Sequence, residues 1–346
     1  MKPGTSSSDK AFSVIIPTFN RAASLSRVLR GLCGQAYPAD LMEVVVVSDG
    51  STDGSAQVVR NLHVPFRLKL FEQPNRGPAA ARNLGIEHSR GPFVLFLDDD
   101  VIPSPCLVAE HARGHGTMSD LALVGPLLPA KTPRSPWSRW EAWTLQRQYE
   151  AIGAGEWSMT FRQFFTGNAS LRLEHLQRTG GFDTRFRRAE DVELGLRLSK
   201  MGVRFVFNPA AGVDHIAERR FGAWLRASYE YGRAETVMRM TTDPLNPWVL
   251  TEFHRRHQLT QRLVCWELRH RRAAQALPAI AFLAAHGVSL LQRPRGVYAI
   301  CSAIFNLTYW RGVSDGLGGT ARALELLGAA SSSVAGPLKG IRSGGD

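Results

Sequence analysis

Short apolar segments alternate with longer amphipathic segments over the first hundred residues of the chain. Apolar runs without polar alternation are typical of strands that are buried on both faces of a parallel sheet. The segments between them space their apolar residues as helices do. This alternation predicts an α/β fold with a doubly wound, mostly parallel sheet and right-handed crossovers. The predicted strands are residues 12–16, 42–47, 67–71 and 93–97.

Further elements are predicted beyond residue 100. Residues 121–124 and 204–207 read as additional strands, and a helix begins at Glu190-Asp191. The proline-rich stretch 126–160 is expected to be irregular. It contains four tryptophans, which either stack on sugar rings or lipid beside a cleft, or pack beneath the loop. They are Trp137, Trp140, Trp143 and Trp157.

Three consecutive carboxylates, Asp98, Asp99 and Asp100, directly follow the fourth predicted strand. Ligands of open α/β sheets bind just outside the carboxyl ends of strands. Oxygen ligands suit hard divalent cations such as Mg²⁺ or Mn²⁺, and a cation would relieve the mutual repulsion. If the segment is extended, Asp98 and Asp100 face one site and Asp99 points elsewhere. The alternative is a solvated acidic loop that caps the helix starting near Ser104.

Length and composition allow one large α/β domain, or such a domain with an extension. The chain has 346 residues, of which 44% are apolar. Four cysteines are far apart and show no paired spacing, which argues against a disulfide framework or zinc site and fits a reducing compartment. Residues 1–10 are polar and lack the apolar core of a signal peptide, so the chain is expected to begin in the cytoplasm.

Charge and hydropathy distinguish the last third of the chain. Residues 219–346 contain 17 Lys and Arg against 8 Asp and Glu, which contributes +9 of the formal net charge of +12. Residues 273–292 and 296–310 contain no Asp, Glu, Lys or Arg. The first stretch is barely long enough to span a bilayer and the second is shorter. We therefore expect an interfacial or re-entrant hairpin on the inner leaflet, with a buried soluble helical pair as the alternative.

Five stretches, taken together and in order, closely resemble glycosyltransferase family 2. The resemblance covers roughly residues 11–235 and implies the GT-A fold, with inverting transfer of a sugar from a nucleotide diphosphate sugar. UDP-sugar is the expected donor, with dTDP- and GDP-sugars as alternatives. The stretches are FSVIIPTFNR at 12–21, VVVVSDGSTDGS at 44–55, NRGPAAARNLG at 75–85, VLFLDDDVIP at 94–103, and residues 167–202.

The resemblance implies roles for individual residues. Asp191 matches the catalytic base, with Glu190 beside it, and we expect Asp191 to remain ionised because a helix N-terminus favours negative charge. Asp100 and His215 match residues that hold a divalent cation, Mn²⁺ or Mg²⁺. Gly167 and Asn168 correspond to the acceptor side. The implied nucleotide-sugar-binding residues are Pro17, Thr18, Asn20, Arg21, Asp49, Asn75, Arg82, Asp98 and Asp99.

Transfer of a single sugar is favoured over polymerisation. Processive members of the family carry a Gln-x-x-Arg-Trp segment after the base, whereas this chain has Glu218-Arg219-Arg220-Phe221. The expected acceptor is a glycan, a glycolipid or a lipid-linked intermediate at an anionic membrane surface. The predicted organisation is a disordered N-terminus (1–10), a GT-A domain (11–220), a helical, basic extension (221–330) and a flexible tail (331–346).

Two other functions stay open. A sugar nucleotidyltransferase could share the sheet and the acidic site, although it should carry a glycine-rich loop with an early arginine where this chain has Pro17-Thr18-Phe19-Asn20. A non-catalytic nucleotide-sugar binder at the membrane surface is the other alternative. Nucleic-acid binding is not favoured, because the basic residues follow no known module.

Overall fold

The chain forms two compact units, Met1–Arg219 and Arg220–Asp346. The computed structural model describes residues 10–116, 118, 120–131, 133–216, 218–242, 258–290 and 293–333. Most of the predicted disordered N-terminus (1–10) and flexible tail (331–346) therefore lies outside the described residues. The exceptions are Lys10 and residues 331–333, the latter belonging to a helix.

A seven-stranded sheet forms the centre of the first unit, in the order β3-β2-β1-β4-β8-β6-β9. Neighbouring strands are parallel, except that β8 runs antiparallel to both β4 and β6. The sheet is thus mostly parallel, as predicted. Its strands are β1 (Phe12–Thr18), β2 (Met42–Asp49), β3 (Arg67–Gln73), β4 (Phe93–Leu97), β6 (Leu121–Val124), β8 (Asn168–Arg172) and β9 (Arg204–Phe207).

Helices connect and cover these strands. Every residue of β1, β2 and β4 is buried, which explains why these strands are apolar without alternation. The helices of this unit are α1 (Ala22–Cys33), α2 (Ser55–Asn61), α3 (Pro78–Glu87), α4 (Leu107–His115), α5 (Pro136–Gly153), α6 (Leu173–Thr179) and α7 (Glu190–Lys200).

The sheet order reverses at β1. Strands β2 and β3 lie on one side of β1, and β4 lies on the other. Such a switch point opens a crevice at the carboxyl ends of the strands. The loop after β1 and the acidic triplet after β4 both lie at this edge. A smaller sheet of β5 (Val101–Pro103), β10 (Val213–His215) and β7 (Leu127–Pro129) adds His215, which pairs with Val101 in register.

The stretch 126–160 is not irregular as predicted, since most of it forms the 18-residue helix α5. The oxygen of Ser135 caps this helix by accepting a hydrogen bond from the N–H of Ser138, and Pro136 occupies the first turn, where proline is tolerated. Trp137 is buried and donates from its indole N–H to the Arg219 carbonyl at 2.6 Å. Trp143 and Trp157 are exposed, so the four tryptophans do not act as one group.

The second unit is helical. Its longest helices are α8 (Phe221–Thr242) and α11 (Pro294–Gly316), which pack closely together. A Cβ added to Gly232 would lie 2.0 Å from the Tyr309 carbonyl oxygen, and one added to Gly312 would lie 2.0 Å from the Tyr229 carbonyl oxygen. Glycine is required at both positions. The other helices are α9 (Gln258–Arg269), α10 (Leu277–Leu290) and α12 (Thr320–Ser333).

The two uncharged stretches differ in exposure. Between residues 296 and 310, which belong to α11, only Ala299 and Ala303 are exposed. Helix α10, from the first stretch, leaves Ile280 and Leu283 exposed. Among the described residues, no helix combines the length and the apolar composition needed to cross a membrane.

Gly232→Ala should destabilise the second unit, because the new methyl group meets backbone atoms of α11 that cannot move independently. We expect a loss of about 1–3 kcal/mol in urea unfolding followed by circular dichroism. Gly222→Ala is the matched control in the same helix, where an added Cβ meets nothing within 4 Å. The control should be neutral or stabilising by up to about 1 kcal/mol. Equal stability of the two variants would contradict the close packing.

Candidate active site

The loop after β1 is fixed to the loop after β2 by side-chain hydrogen bonds. Asn20 has a left-handed φ of 53°, a conformation that asparagine tolerates, and its side-chain oxygen accepts the Thr52 N–H at 2.7 Å. Asp53 accepts the N–H of Ala22 at 2.9 Å and that of Ser55 at 3.1 Å, the first residues of α1 and α2. These contacts fix the backbone immediately before and after Arg21.

Asp49 ends β2 and is buried. One carboxylate oxygen accepts the Gln73 amide at 2.7 Å and the Arg76 N–H at 2.8 Å, and the other accepts the Gly77 N–H at 2.9 Å. The carboxylate therefore fixes the loop after β3. A pocket of about 280 Å³ opens beside it, lined by Ser48, Gly50, Ser51, Glu72, Gln73 and Pro74.

Asn75 lies next to this pocket. A Cβ on Gly50, whose φ is +79°, would be 2.8 Å from the Asn75 backbone nitrogen. Pro17, in contrast, is buried within β1 and pairs with Val47 in register. The structure therefore places Asp49 and Asn75 beside one pocket without lining it, and Pro17 in the supporting sheet.

Arg21 neutralises two members of the acidic triplet. Its guanidinium pairs with Asp100 and lies 3.4 Å from an oxygen of Asp99. Asp99 also accepts the Thr18 hydroxyl at 2.7 Å. The prediction that Asp99 points away from Asp98 and Asp100 is wrong, because Asp99 and Asp100 lie in a turn and not in an extended segment.

Arg82 joins the triplet to helix α7. This buried guanidinium donates to Asp98 at 2.8 Å and to Glu190 at 2.7 Å. The guanidinium carbon of Arg82 also lies 5.6 Å from the centroid of the Phe182 ring. Asp98 and Glu190 belong to distant parts of the chain. The guanidinium of Arg82 brings them together because it donates a hydrogen bond to each.

Asp191 follows Glu190 in the first turn of α7 and is partly buried. Burial raises its pKa to about 7, and the charge of Glu190 adds to this effect against the lowering influence of Arg82. The expectation that Asp191 remains fully ionised at neutral pH is therefore wrong. A carboxylate with this pKa is suited to accept a proton near neutral pH.

Helix α7 begins under backbone strain. Ala189, the residue before Glu190, has a left-handed φ of 60°. In the described ranges, Asn20 is the only other non-glycine residue with positive φ, and it precedes Arg21. Strained backbone persists where the surrounding structure fixes it, and it clusters at functional sites.

Asn168 lies at the start of β8 and is fully buried. Its amide donates to the Ala211 carbonyl at 2.7 Å, and its oxygen lies 2.9 Å from Nε2 of His111. The side chain is therefore directed into the protein. Gly167 lies closer to the triplet, since a Cβ there would be 2.9 Å from an oxygen of Asp98. The acceptor-side assignment of this pair stays a prediction.

Asp100 and His215 are two residues that could hold a divalent cation. Oδ1 of Asp100 is buried and accepts no hydrogen bond, and it lies 3.5 Å from Nε2 of His215. Burial alone would raise the pKa of Asp100, but His215 and Arg21 hold it well below its ordinary value, so the carboxylate is ionised. Within the described ranges, no three His, Cys, Asp or Glu side chains form a metal site by themselves. Two protein ligands are consistent with a cation that also binds substrate phosphates.

Glu141 of α5 was not anticipated from the sequence. Its carboxylate oxygen accepts a hydrogen bond from Nη1 of Arg219 at 2.7 Å. Burial raises its pKa, against the opposing charges of Arg219, His215 and Arg188. Glu141 therefore lies within electrostatic range of the proposed metal ligand His215. The sequence signal was obscured because the surrounding stretch reads as an irregular proline-rich loop.

Comparison with known proteins agrees with this geometry. Residues 13–180 match the family model described as Glycosyl transferase family 2. Validoxylamine A glucosyltransferase of Streptomyces hygroscopicus subsp. jinggangensis is 32% identical over 228 residues, covering 58% of this chain and 54% of the relative. Glycosyltransferase AglE of Haloferax volcanii is 29% identical, covering 64% and 72%. The chain thus spans about half to three quarters of the length of these curated relatives.

The fold also matches known structures. The mannosyltransferase PcManGT from Pyrobaculum calidifontis, in complex with GDP-Man and Mn²⁺, has a TM-score of 0.58 at 24% identity, covering 86% of this chain and 85% of that one. At this level of identity the likeness establishes the GT-A-type fold.

Glu190→Gln should lower the pKa of Asp191 below about 7. The substitution removes the neighbouring negative charge that disfavours ionisation of Asp191. It also leaves Arg82 with Asp98 as its remaining carboxylate partner of the two, so less of its positive charge is compensated. Carboxyl ¹³C NMR of aspartate-labelled protein measures this pKa, with the Asp191 resonance assigned by its loss in Asp191→Asn. Glu325→Gln, in the second unit, is the control and should leave the resonance unchanged. An unaltered pKa in Glu190→Gln would mean that burial alone sets it.

Proposed function

Because residues 13–180 match the family model described as Glycosyl transferase family 2, we propose that this chain is an inverting glycosyltransferase. It would move a single sugar from a nucleotide diphosphate sugar to an acceptor hydroxyl. One observation supports this most directly. Arg82 brings Asp98, after β4, together with Glu190 at the start of α7, where the adjacent Asp191 has a pKa of about 7.

Asp191 is the proposed general base. Its carboxylate would accept the proton of the acceptor hydroxyl as that oxygen attacks the anomeric carbon on the face opposite the leaving diphosphate. A direct displacement of this kind inverts the anomeric carbon and requires no enzyme nucleophile. Glu190 remains paired with Arg82 and keeps the pKa of Asp191 high.

The donor would lie along the carboxyl edge of the sheet. The pocket beside Asp49 and Asn75 is the proposed site of the nucleoside, with UDP as the default and dTDP or GDP as alternatives. The adjoining segment at the end of β1 contributes Thr18, Asn20 and Arg21. Of these, Arg21 carries the positive charge and pairs with Asp100. Asp98 and Asp99 complete the proposed nucleotide-sugar site.

A divalent cation, Mn²⁺ or Mg²⁺, is the proposed cofactor. Asp100 and His215 would hold it, and it would supply Lewis-acid stabilisation of the leaving diphosphate. This assignment is supported by Oδ1 of Asp100, which belongs to an ionised carboxylate and accepts no hydrogen bond. The mannosyltransferase of similar fold is itself a complex with Mn²⁺ and a nucleotide sugar.

The proposed acceptor is a saccharide, free or carried on a lipid. We place the enzyme on the cytoplasmic face of an anionic membrane, because residues 219–346 contribute most of the positive charge. A sugar nucleotidyltransferase is the second candidate on chemical grounds. Release of nucleoside diphosphate supports glycosyl transfer, and release of pyrophosphate would identify the nucleotidyltransferase.

Asp191→Asn should lower turnover by about 10²–10⁴-fold, the usual contribution of a general base. Asparagine keeps the shape of the side chain but cannot accept the proton. Donor affinity, measured by calorimetry on the same preparation, should change little. In the unmodified enzyme, kcat/KM should fall as the pH drops through about 7, because Asp191 becomes protonated. Near-normal turnover in Asp191→Asn would move the base elsewhere, with Glu190 the next candidate.

Asp100→Ala should abolish the stabilisation that Mn²⁺ and nucleoside diphosphate together give in a thermal-shift assay. A ligand that binds only the native state raises stability by about 2.7 kcal/mol at a hundredfold excess over Kd. Asp40→Ala, at an exposed position away from the sheet edge, is the control and should keep the full shift. Undiminished metal-dependent stabilisation in Asp100→Ala would contradict the metal assignment.

A further inference from the structure

Helix α10 has one packed side and one exposed side. Ala285 on the packed side is 2% exposed, whereas Ile280 and Leu283 on the opposite side are 58% and 69% exposed. Ala279, His286 and Gly287 share the exposed side, where the His286 imidazole is polar. The helix contains no Asp, Glu, Lys or Arg. We call this exposed side, defined by Ala279, Ile280, Leu283 and Gly287, the α10 face.

Exposed arginines lie at both ends of α10. Arg269 and Arg272 precede the helix, and Arg293 and Arg295 follow it, all four exposed. No carboxylate occurs anywhere between Glu267 and Asp315. A face that is apolar apart from the His286 imidazole, with arginines and no carboxylate at its ends, is complementary to a surface with a non-polar interior and negatively charged rims.

We propose that the α10 face docks on an anionic lipid bilayer. The apolar side chains would enter the interfacial region with the helix parallel to the membrane plane, while the four arginines meet lipid phosphates. This inference deepens the proposed location at the membrane, and it rests on the proposed function only for that location. The docking itself requires no catalysis.

A second copy of the chain is a poorer occupant. A two-fold dimer through the α10 face would use the same surface on both protomers and bring like-charged arginine borders towards each other. The neighbouring uncharged stretch is unsuitable as well, because its helix α11 is packed against α8 and exposes only two alanines between residues 296 and 310. The α10 face is therefore the apolar surface left accessible by these two stretches.

The test is co-sedimentation of the full chain with vesicles of phosphatidylcholine alone or mixed with phosphatidylglycerol. We expect binding to the mixed vesicles at low salt. Salt should weaken this binding without abolishing it, since electrostatic attraction is screened and apolar insertion is not. Leu283→Glu should reduce partitioning about tenfold or more, because it removes a large apolar contribution and adds a repelled charge.

Leu263→Glu is the matched control. Leu263 is a leucine of α9 with 44% exposure, so the same substitution tests whether the position on α10 matters. The control should bind the mixed vesicles nearly as well as the unmodified chain. Arg293→Gln with Arg295→Gln should weaken binding at low salt and reduce its dependence on salt.

Three results would overturn the proposal: no binding of the unmodified chain to mixed vesicles, equal losses in Leu283→Glu and Leu263→Glu, or a dimer in solution that Leu283→Glu dissociates. A thermal-shift assay with nucleoside diphosphate and Mn²⁺ separates failure of the membrane-docking proposal from failure of the proposed function. Leu283→Glu should keep the shift of the unmodified chain. Vesicle binding without any nucleotide response would leave the α10 face intact and reject the glycosyltransferase proposal.

Discussion

The buried guanidinium of Arg82 is the interaction on which the candidate site depends. A charge removed from water is costly unless it is paired and hydrogen-bonded. Arg82 meets this requirement by donating to Asp98 and Glu190. The two carboxylates are themselves crowded by further acidic neighbours, so the guanidinium and its partners require each other. Removing Arg82 would leave uncompensated negative charge at the point where the sheet edge meets α7.

The surroundings give two carboxylates of this site opposite properties. Asp100 lies beside Arg21 and His215, and its pKa is well below the ordinary value. Asp191 lies beside Glu190, and burial of its carboxylate together with that neighbouring charge raises its pKa to about 7. An ionised carboxylate is suited to a metal or a cationic partner, and one that titrates near neutrality is suited to proton transfer. The proposed division of labour thus follows from the neighbours of each group and not from its chemical type.

The sequence predicts the sheet well and the site only in part. Strands β1, β2 and β4 were predictable because burial on both faces demands unbroken apolar runs. Helix α5 was missed, since proline and tryptophan obscure a helix whose first turn tolerates Pro136. Glu190 and Arg82 are 108 residues apart, and no local pattern specifies that pair.

The pKa of Asp191 shows why local reasoning fails at such a site. A helix N-terminus favours a negative charge by about 0.3–1 kcal/mol, less than the 1.36 kcal/mol that corresponds to one pKa unit. Burial and the charge of Glu190 act in the opposite direction and raise the pKa from 3.8 to about 7. Burial, the largest of these effects, therefore outweighs the helix N-terminus, and it depends on which residues the fold packs around Asp191.

The second unit illustrates the same limit for hydropathy. Residues 273–292 and 296–310 are alike in lacking charge, yet they have different surroundings. Gly312 allows α11 to approach the backbone of α8, and Gly232 does the same from the other side. Close approach buries α11 within the unit. Helix α10 makes no comparable backbone contact at Gly287, where an added Cβ meets nothing within 4 Å. Small residues at a helix crossing, more than apolar content, therefore decide which of the two segments remains available for an external surface.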